Sequence, residues 1–310
     1  MSTPIFVLGE ALMDCMAQPD GRLLPLMGGS PFNLARAAAL RGGHVAYLNP
    51  LSTDLFGQGL ARQLRQDGVQ LPGGHTSKPT SLAVVQVTDG QPCYGFYREG
   101  IADRDYTVDG ILARLRAQKK PGILHTGSLL LIPPEQHKVL TILQAARAMG
   151  WTLSVDINLR PQLASDLGLY VAAVREVMAV TDWLKASDED LAALGFTDVR
   201  LAESARLVQA LRADAPDTAL SRMALTYGGD GAHLDIQGHS HSLPVPPTQV
   251  VDTVGAGDTF WGHTLADWAL RPQGAAERVA TTLARAMQAA AINCSRQGCQ
   301  PPTWAEVQAA

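Results

Sequence analysis

The 310-residue sequence has little charge and no long apolar run, and these absences exclude several classes of protein. Charged residues make up 17% of the chain and the net charge is −4, so a general nucleic-acid partner is not expected. No run is long or apolar enough to span a bilayer, and the first residues lack the basic segment of a secretion signal. With 46% hydrophobic residues, the composition is typical of a globular protein, and we expect a cytoplasmic one without a membrane partner.

Cysteine is also scarce. The four cysteines are Cys15, Cys93, Cys294 and Cys299. They lack the spacing of a metal site and are typical of reduced cytoplasmic thiols, although the pair near the end leaves open a disulfide or half of a metal site. His239 and His241 lie in a polar segment without acidic or cysteine partners, and we interpret them as surface residues rather than a metal pair.

Short β-type runs alternate with helical ones along most of the chain. The predicted strands are 5–8, 45–48, 123–126, 152–155, 183–185 and 223–226. The predicted helices are 33–41, 58–66, 135–149, 169–180 and 201–213. This alternation predicts an α/β fold with a parallel sheet covered on both faces, in which ligands bind beyond the carboxyl ends of the strands. No repeat or linker divides the chain, so a single domain is expected.

Residues 81–97 interrupt this alternation with an almost purely β-type pattern. They predict a hairpin that turns at Asp89 and Gly90, inserted among the strand–helix units. Such a flap beside an active site suggests a lid that excludes water, and the alternative is an ordinary extension of the sheet. A second hairpin is predicted from 232–236 and 240–245, with its turn at 237–238.

Residues 252–258, Asp-Thr-Val-Gly-Ala-Gly-Asp, are the most informative segment. The apolar residues that follow recur at helical spacing, so Gly255 and Gly257 lie where a loop becomes a helix. The free N–H groups and the dipole of a helix start favour anions, and glycines allow a phosphate to approach closely. Asp258 would repel that phosphate but could deprotonate an attacking alcohol. The segment therefore favours phosphoryl transfer, and the alternative is a tight turn with an N-cap aspartate.

Further polar residues follow the predicted strands. Asp14 comes just past the first strand, and Asn33 follows the Gly-Gly pair 28–29; together they suit the hydroxyls of a sugar, unless Asn33 is only a helix cap. The cluster 156–161 places Arg160 where it could meet a phosphate or a substrate oxygen. Ser187 is either a helix cap or a phosphate ligand. The glycines of 226–231 form either a nucleotide loop or a hairpin turn.

Residues 28–33 and 252–258 resemble the paired signatures of the PfkB carbohydrate kinases, the ribokinase-like group. The resemblance covers nearly the whole chain in order, including residues 9–14, 156–160, 185–189 and 226–228. Within the group, the chain is most similar to bacterial fructokinases, and 2-keto-3-deoxygluconate kinases come next.

The resemblance implies one domain, 1–310, folded as a three-layer αβα sandwich with a small β-sheet lid from segments near 12–30 and 70–100. It implies transfer of the γ-phosphoryl group of ATP to a sugar, with fructose giving fructose 6-phosphate. The alternatives are 2-keto-3-deoxygluconate or another sugar or nucleoside, and more remotely a non-catalytic sensor of sugar or nucleotide. Exposed strand edges of the lid suggest a homodimer formed through it.

The resemblance also assigns roles to residues. Asp258 would be the general base, and the backbone of Gly255, Ala256 and Gly257 the anion hole. The matched sugar-binding positions are Asp14, Gly28, Gly29, Asn33, Arg98 and Arg160. The matched positions for ATP and its metal–water network are Asn158, Lys185, Thr226, Gly228 and Gly231. Mg²⁺ would arrive with ATP, held mainly by phosphate and water. K⁺ would lie among carbonyls around Asp252 and near Gly298.

Three departures from the family pattern affect these expectations. Of a Gly-x-Gly-x-Asp run, only Asp54 and Gly57 persist, which puts the substrate contact of that loop in doubt. Ser187 replaces an asparagine that relatives often carry, which would alter the metal–water network. Val254 replaces a common threonine, which matters little if only its carbonyl acts.

Overall fold

The computed structural model describes residues 2–18, 20–88, 91–215 and 220–310. The turn predicted at Asp89 and Gly90 lies outside the described residues. Within these ranges, no helix has the length and apolar character needed to cross a membrane.

The strands and helices of the described residues alternate along most of the chain. The strands are β1 (Ile5–Val7), β2 (Leu12–Ala17), β3 (Leu23–Gly28), β4 (Val45–Tyr47), β5 (Leu51–Ser52), β6 (His75–Thr76), β7 (Ser81–Thr88), β8 (Gln91–Tyr97), β9 (Ile123–Gly127), β10 (Thr152–Asp156), β11 (Trp183–Ser187), β12 (Arg222–Thr226), β13 (Ala232–Ile236) and β14 (His239–Leu243). The helices are α1 (Ser30–Leu40), α2 (Leu55–Gln66), α3 (Val108–Arg116), α4 (Gln136–Ala148), α5 (Leu167–Met178), α6 (Asp188–Ala193), α7 (Ser204–Asp214), α8 (Ala256–Leu270), α9 (Val279–Cys294) and α10 (Trp304–Ala309).

The larger sheet has the strand order β14-β13-β12-β11-β10-β9-β1-β4. Its strands from β12 to β4 are parallel, and β13 and β14 extend one edge as an antiparallel hairpin. One apolar core packs α3, α4, α5 and α7 against one face, and a second packs α1, α2, α8 and α9 against the other. The result is the three-layer αβα sandwich that the alternation predicts, because a parallel sheet buried on both faces needs helices on both sides.

The smaller sheet has the order β3-β2-β7-β8, in which only β2 and β7 run parallel. Asp14 lies inside β2, opposite Leu26 and Ala83, and not in a loop just past the first strand. The chain leaves β1, becomes extended again after four residues, and pairs with β3. This pairing projects the Asp14 carboxyl from a strand of the smaller sheet.

Several helices begin earlier than the residue pattern predicts, for local reasons. Helix α1 begins at Ser30, because Pro31 fits the first turn, where no N–H is needed. Helix α2 begins at Leu55, because the Asp54 side chain accepts a hydrogen bond from the Gly57 N–H and caps it. The residue pattern did not predict α3, α9 or α10.

Candidate active site

The glycine-rich segment is a loop-to-helix junction, as predicted. Gly255 precedes α8 in the left-handed conformation with φ 73°, and a Cβ there would stand 2.2 Å from Cys299 Sγ. No side chain caps this helix start, so Asp258 is not an N-cap. The Ala256 N–H donates to Thr253 O over 3.2 Å. The N–H groups in the first turn of a helix have no acceptor inside that helix.

Asp258 is fixed by two donors from the start of α1. Ser30 Oγ donates to Asp258 Oδ1 over 2.7 Å, and Asn33 Nδ2 donates to Oδ2 over 2.9 Å. Asn33 is therefore not a helix cap; the N-cap of α1 is Gly29, without a side-chain hydrogen bond. Sequence reasoning missed the role of Ser30, although this residue lies within the 28–33 motif. Each carboxylate oxygen keeps a lone pair for a further donor.

Asp14 lies close to this carboxylate, in a crowded acidic setting. A Cβ at Gly28 would stand 2.0 Å from Asp14 Oδ2, so only glycine leaves room for the carboxyl. Burial, with smaller contributions from Asp258 and Asp252, raises the pKa of Asp14 to about 6, against the lowering effect of Arg160. The structure thus brings one predicted sugar ligand, Asp14, near the predicted base and near Arg160.

Arg160 is held by the loop that follows β10. Its Nη1 donates to Asn158 Oδ1 over 2.6 Å and to Asn158 O over 3.2 Å, and Asn158 has a φ of 41°. Asp190 fixes the same loop, because its Oδ1 accepts from Leu159 N and its Oδ2 from Ser187 N. Ser187 in turn caps α6 by accepting from Asp190 N, so the capping interpretation of Ser187 is correct.

Lys185 forms a buried ion pair directly behind the glycine-rich turn. Its Nζ lies 2.9 Å from both carboxylate oxygens of Asp156. Burial lowers the pKa of Lys185, but the Asp156 and Asp190 carboxylates raise it more, so the ammonium stays charged. A Cβ at Gly257 would stand 3.3 Å from Nζ. A fixed positive charge therefore lies beneath the proposed anion hole.

The loop predicted to hold a nucleotide follows β12. Thr226 is the neighbour of Ser187 in the parallel register of β11 and β12. Gly228 and Gly231 both have positive φ, and they lie in the connection from β12 to antiparallel β13. The loop is thus a hairpin connection, and it lies at the carboxyl edge of the sheet together with Lys185.

Arg98 belongs to a second buried cluster. Burial lowers its pKa, while the Asp103 and Glu10 carboxylates raise it and Arg104 lowers it. Burial also raises the pKa of Glu10 to about 7, against the lowering effect of Arg98. Glu10 Oε1 accepts from Ser30 N over 3.3 Å, which links this cluster to the start of α1, where Asp258 is held. The roles of Glu10 and Asp103 were missed, since only their buried neighbours reveal them.

The loop around Asp252, where the resemblance implies a potassium site, is held by its own hydrogen bonds. Asp252 Oδ1 accepts from Val254 N over 3.0 Å, and Oδ2 accepts from Gly298 N over 2.8 Å. Val254 O, one of the carbonyls near Asp252, accepts from Asn293 Nδ2 over 2.8 Å. The Asn293 amide therefore satisfies that oxygen without a cation.

Three cysteines and the two histidines of β14 bear on the disulfide and the metal pair that the sequence left open. Cys15, Cys294 and Cys299 are free thiols, so the last two form no disulfide. His239 and His241 are exposed on β14. In the described parts of the chain, no group of three or more His, Cys, Asp or Glu side chains could hold a metal ion.

The chain is similar in sequence and in fold to known carbohydrate kinases. The family model described as pfkB family carbohydrate kinase matches residues 2–306. A fructokinase from Rhizobium leguminosarum bv. trifolii is 31% identical over 267 residues, which cover 84% of this chain and 78% of that protein. The crystal structure of a fructokinase with bound ATP from Xylella fastidiosa has a TM-score of 0.85 at 27% identity, covering 100% of this chain and 98% of that one.

A fructokinase double mutant from Vibrio cholerae O395, in its fructose, ADP and potassium ion bound form, has a TM-score of 0.82. The match covers 100% of this chain and 99% of that one. At 21% identity, this likeness supports the fold alone.

Proposed function

The chain belongs to the pfkB family of carbohydrate kinases and is a phosphotransferase that acts on a sugar hydroxyl, and we propose that it transfers the γ-phosphoryl group of ATP to fructose. The product would be fructose 6-phosphate. One observation carries the mechanism: Ser30 and Asn33 hold the Asp258 carboxylate in the first turn of α8, beside a glycine-rich helix start.

In the proposed mechanism, Asp258 is the general base. Its two oxygens are already oriented by donors, and each can accept one more hydrogen bond, so a sugar O–H can donate to the carboxylate and lose its proton there. Asp258 lies in the first turn of the helix whose N–H groups would face the transferred phosphoryl group. The base and the anion site are therefore carried by one rigid element, which favours an in-line approach.

The charge that develops on the phosphoryl oxygens would be stabilised from two sides of the turn. The free N–H groups of Gly255 and Gly257 and the α8 dipole would face the oxygens directly, with Ala256 contributing if its weak bond to Thr253 opens. The Lys185 ammonium would act through the turn at short range, because Asp156 holds it there. A charge fixed before reaction costs no reorganisation during the transfer.

The nucleotide would lie along the carboxyl edge of β11 and β12, where Asn158, Thr226, Gly228 and Gly231 follow the strands. Mg²⁺, which neutralises phosphate charge when bound, would be held mainly by the nucleotide and water. Asn158 and the nearby carboxylates would act on this ion through water.

A neutral sugar suits the acidic pocket. Asp14 lies near both Asp258 and Asp252, and Arg160 is the charged neighbour that offsets them. Asp14, Asn33 and the backbone at Gly28 and Gly29 would bind hydroxyl groups. The smaller sheet, which carries Asp14 in β2 and leads to Arg98 just after β8, would act as the lid over the sugar.

One observation favours the second candidate, 2-keto-3-deoxygluconate. Arg98 Nε and Nη2 are buried and have no hydrogen-bond partner among the described residues. A sugar carboxylate would supply acceptors for them. The charge balance argues against this substrate. The carboxylates of Glu10, Asp103 and Glu135 lie near Arg98 and Arg104 and already offset their charge.

A coupled ADP-release assay with Mg-ATP would decide between the candidates. The acceptors are fructose, 2-keto-3-deoxygluconate, ribose, adenosine and aminoimidazole riboside. The highest kcat/KM is expected with fructose, and a preference for the keto acid would replace fructose and assign Arg98 to its carboxylate. Nucleotide binding without turnover of any acceptor would contradict the fructose proposal and favour a non-catalytic sensor.

A further inference from the structure

Asn293 joins the two segments that enclose the glycine-rich turn. It lies in the last turn of α9 and is 0% exposed. Its Nδ2 donates to Val254 O over 2.8 Å, and its Oδ1 accepts from Gln300 N over 2.8 Å. Both halves of one buried amide are thus used, one toward the turn and one toward the loop after α9.

Asp252 forms a second connection between the same segments. Its carboxylate accepts from Val254 N within the turn and from Gly298 N in the loop after α9. The backbone N–H groups of Val251 and Asp252 both donate to Cys294 O. Side-chain and backbone hydrogen bonds therefore connect residues 251–254 to the end of α9 and to the loop that follows it.

The bond to Val254 O has a direct consequence for the anion hole. In a planar trans peptide, the C=O and the N–H point in opposite directions. Val254 O and the Gly255 N–H belong to the same trans peptide, since the cis bond found in the described residues is Pro133–Pro134. An amide that holds the carbonyl on the α9 side therefore turns the Gly255 N–H toward the opposite side, where the phosphoryl group would bind.

A monovalent cation bound to that carbonyl would orient the peptide in the same way, because carbonyl oxygens are the ligands that replace the hydration shell of K⁺. The amide hydrogen of Asn293 already holds Val254 O in this orientation, so the carbonyl needs no cation to orient it. Unlike an ion, this donor is covalently attached to α9 and does not dissociate.

We propose that Asn293 is a positioning residue that aims the Gly255 N–H of the anion hole, and that this amide makes the enzyme independent of K⁺. The inference rests on the proposed kinase function for its kinetic consequences. Asn293 contacts neither substrate nor nucleotide in this role. Its amide is an internal donor that takes the place of an external cation at the Val254 carbonyl.

The test compares the wild type with Asn293→Ala, Asn293→Asp and a control, Gln300→Ala, in K⁺ and in tetramethylammonium. The aspartate keeps the acceptor for Gln300 N and loses the donor to Val254 O. The control removes an exposed side chain and keeps the backbone N–H that Asn293 binds. The assay uses Mg-ATP and the best acceptor from the substrate panel.

The wild type and Gln300→Ala are expected to have the same kcat in either salt. In tetramethylammonium, Asn293→Ala should lose about 10²-fold in kcat, the scale of one misplaced anion-hole donor, while the sugar KM changes little. K⁺ should restore part of this loss, because the freed Val254 carbonyl becomes available to a cation. If Asn293 only stabilised the fold, Asn293→Ala would lower stability, but it would not lower kcat at an unchanged sugar KM, and K⁺ would not restore activity.

Melting temperatures in the two salts provide a readout that does not depend on any acceptor. K⁺ should raise the melting temperature of Asn293→Ala and leave that of the wild type unchanged, because a ligand stabilises only a state that binds it. If the alanine variant does not fold, the aspartate variant takes its place, with the same salt response expected. These results would stand even if no tested sugar were phosphorylated.

Two outcomes would overturn the proposal. One is a wild-type enzyme whose kcat collapses, or whose melting temperature falls, when K⁺ is replaced by tetramethylammonium. The other is an Asn293→Ala variant with wild-type kcat in tetramethylammonium, which would show that the Gly255 N–H is aimed without the amide.

Discussion

Asp258 owes its position to donors that lie more than two hundred residues away along the chain, Ser30 and Asn33. An amide in its place could keep both contacts. If its NH2 group faces Ser30, the serine hydroxyl rotates to accept; if it faces Asn33, the Asn33 amide flips and its unpaired Oδ1 accepts. Only the negative charge would be lost. We expect Asp258→Asn to lower kcat by ~10²–10⁴-fold with little change in ATP affinity, because the general base is removed.

Kinetics of ADP release and calorimetric titration of ATP would measure this effect. Asp198→Asn is the matched control, since Asp198 is exposed and has a positive φ that asparagine also tolerates. Full activity of Asp258→Asn would remove Asp258 from the role of base.

Asp14 offers a prediction about pH. Burial raises its pKa to about 6, so the free enzyme gains a proton at Asp14 as the pH falls through that value. A protonated carboxyl is a weaker acceptor for sugar hydroxyls, and the KM for the sugar should therefore rise below pH about 6. Asp14→Ala should weaken sugar affinity at every pH and leave ATP binding unchanged.

Asp14→Asn separates this effect from other carboxyl groups that titrate nearby. Its sugar KM should be higher than that of the wild type at neutral pH and almost constant as the pH falls. A wild-type KM in either variant would exclude Asp14 from the sugar pocket, and an unchanged pH profile in Asp14→Asn would assign the titration to another group, with Asp103 and Glu10 the first to test.

At this scale, the sequence predicted the residues that carry a recognisable motif and missed those defined by their neighbours. Asp258 and Asn33 belong to glycine-rich segments in which the order of residues predicts an anion site and a sugar site. Glu10 and Asn293 are single polar residues, and only the tertiary structure shows that one meets Ser30 N and the other Val254 O. Both side chains are buried, and the residues next to them in the sequence do not show this.

Among the elements, α6 begins with a reciprocal cap formed by Ser187 and Asp190. Ser187 accepts from Asp190 N, and Asp190 accepts from Ser187 N and Leu159 N. Ser187→Ala removes one acceptor at the helix start and should lower the free energy of unfolding by about 1 kcal/mol. Urea denaturation would measure this loss.

Ser187→Asn is the informative control for that substitution, because asparagine caps helices about as well as serine. It should retain wild-type stability, and a stability loss equal to that of alanine would show that the cap is not what Ser187 contributes. If Ser187→Ala were as stable as the wild type, Asp190 alone would account for the order of this turn.

Element boundaries were less predictable than element types, and the reasons are local. The pattern placed the start of α1 at residue 33, whereas Gly29 and Pro31 start it at Ser30. Helix α9 went unpredicted although it supplies Asn293. The smaller sheet combines β2 and β3 with β7 and β8 from far along the chain, and such long-range pairing has no signature in any single segment.

At the scale of the whole molecule, the layered α/β fold followed from strand–helix alternation, since only a sheet covered on both faces satisfies that pattern. The resemblance added the expectation of a lid, and the smaller sheet is the element that would serve as one. Strand–helix alternation does not predict which surface of this sheet contacts another molecule. Its outer strands β3 and β8 are edges with unpaired backbone groups.

The smaller sheet also exposes apolar side chains, which leads to a prediction about assembly. Leu23 is 49% exposed and Tyr97 65% exposed. The pairings of Leu23 with Ala17, of Met13 with Met27 and Leu82, and of Leu82 with Tyr97 place both side chains on the same face. Exposed apolar groups beside open strand edges favour pairing with a second copy, so we expect a homodimer formed through this sheet.

Leu23→Glu should convert that dimer into a monomer, because two charges would face each other across a two-fold interface. Leu169→Glu is the matched control, since Leu169 is 65% exposed on α5, away from the smaller sheet, and its variant should remain a dimer. Light scattering coupled to size-exclusion chromatography measures both. A monomeric wild type, or a dimer that survives Leu23→Glu but not Leu169→Glu, would move the contact away from the smaller sheet. If the dimer closes the sugar site, the Leu23→Glu monomer should also show a raised sugar KM with unchanged ATP affinity, because Asp14 lies on the same sheet.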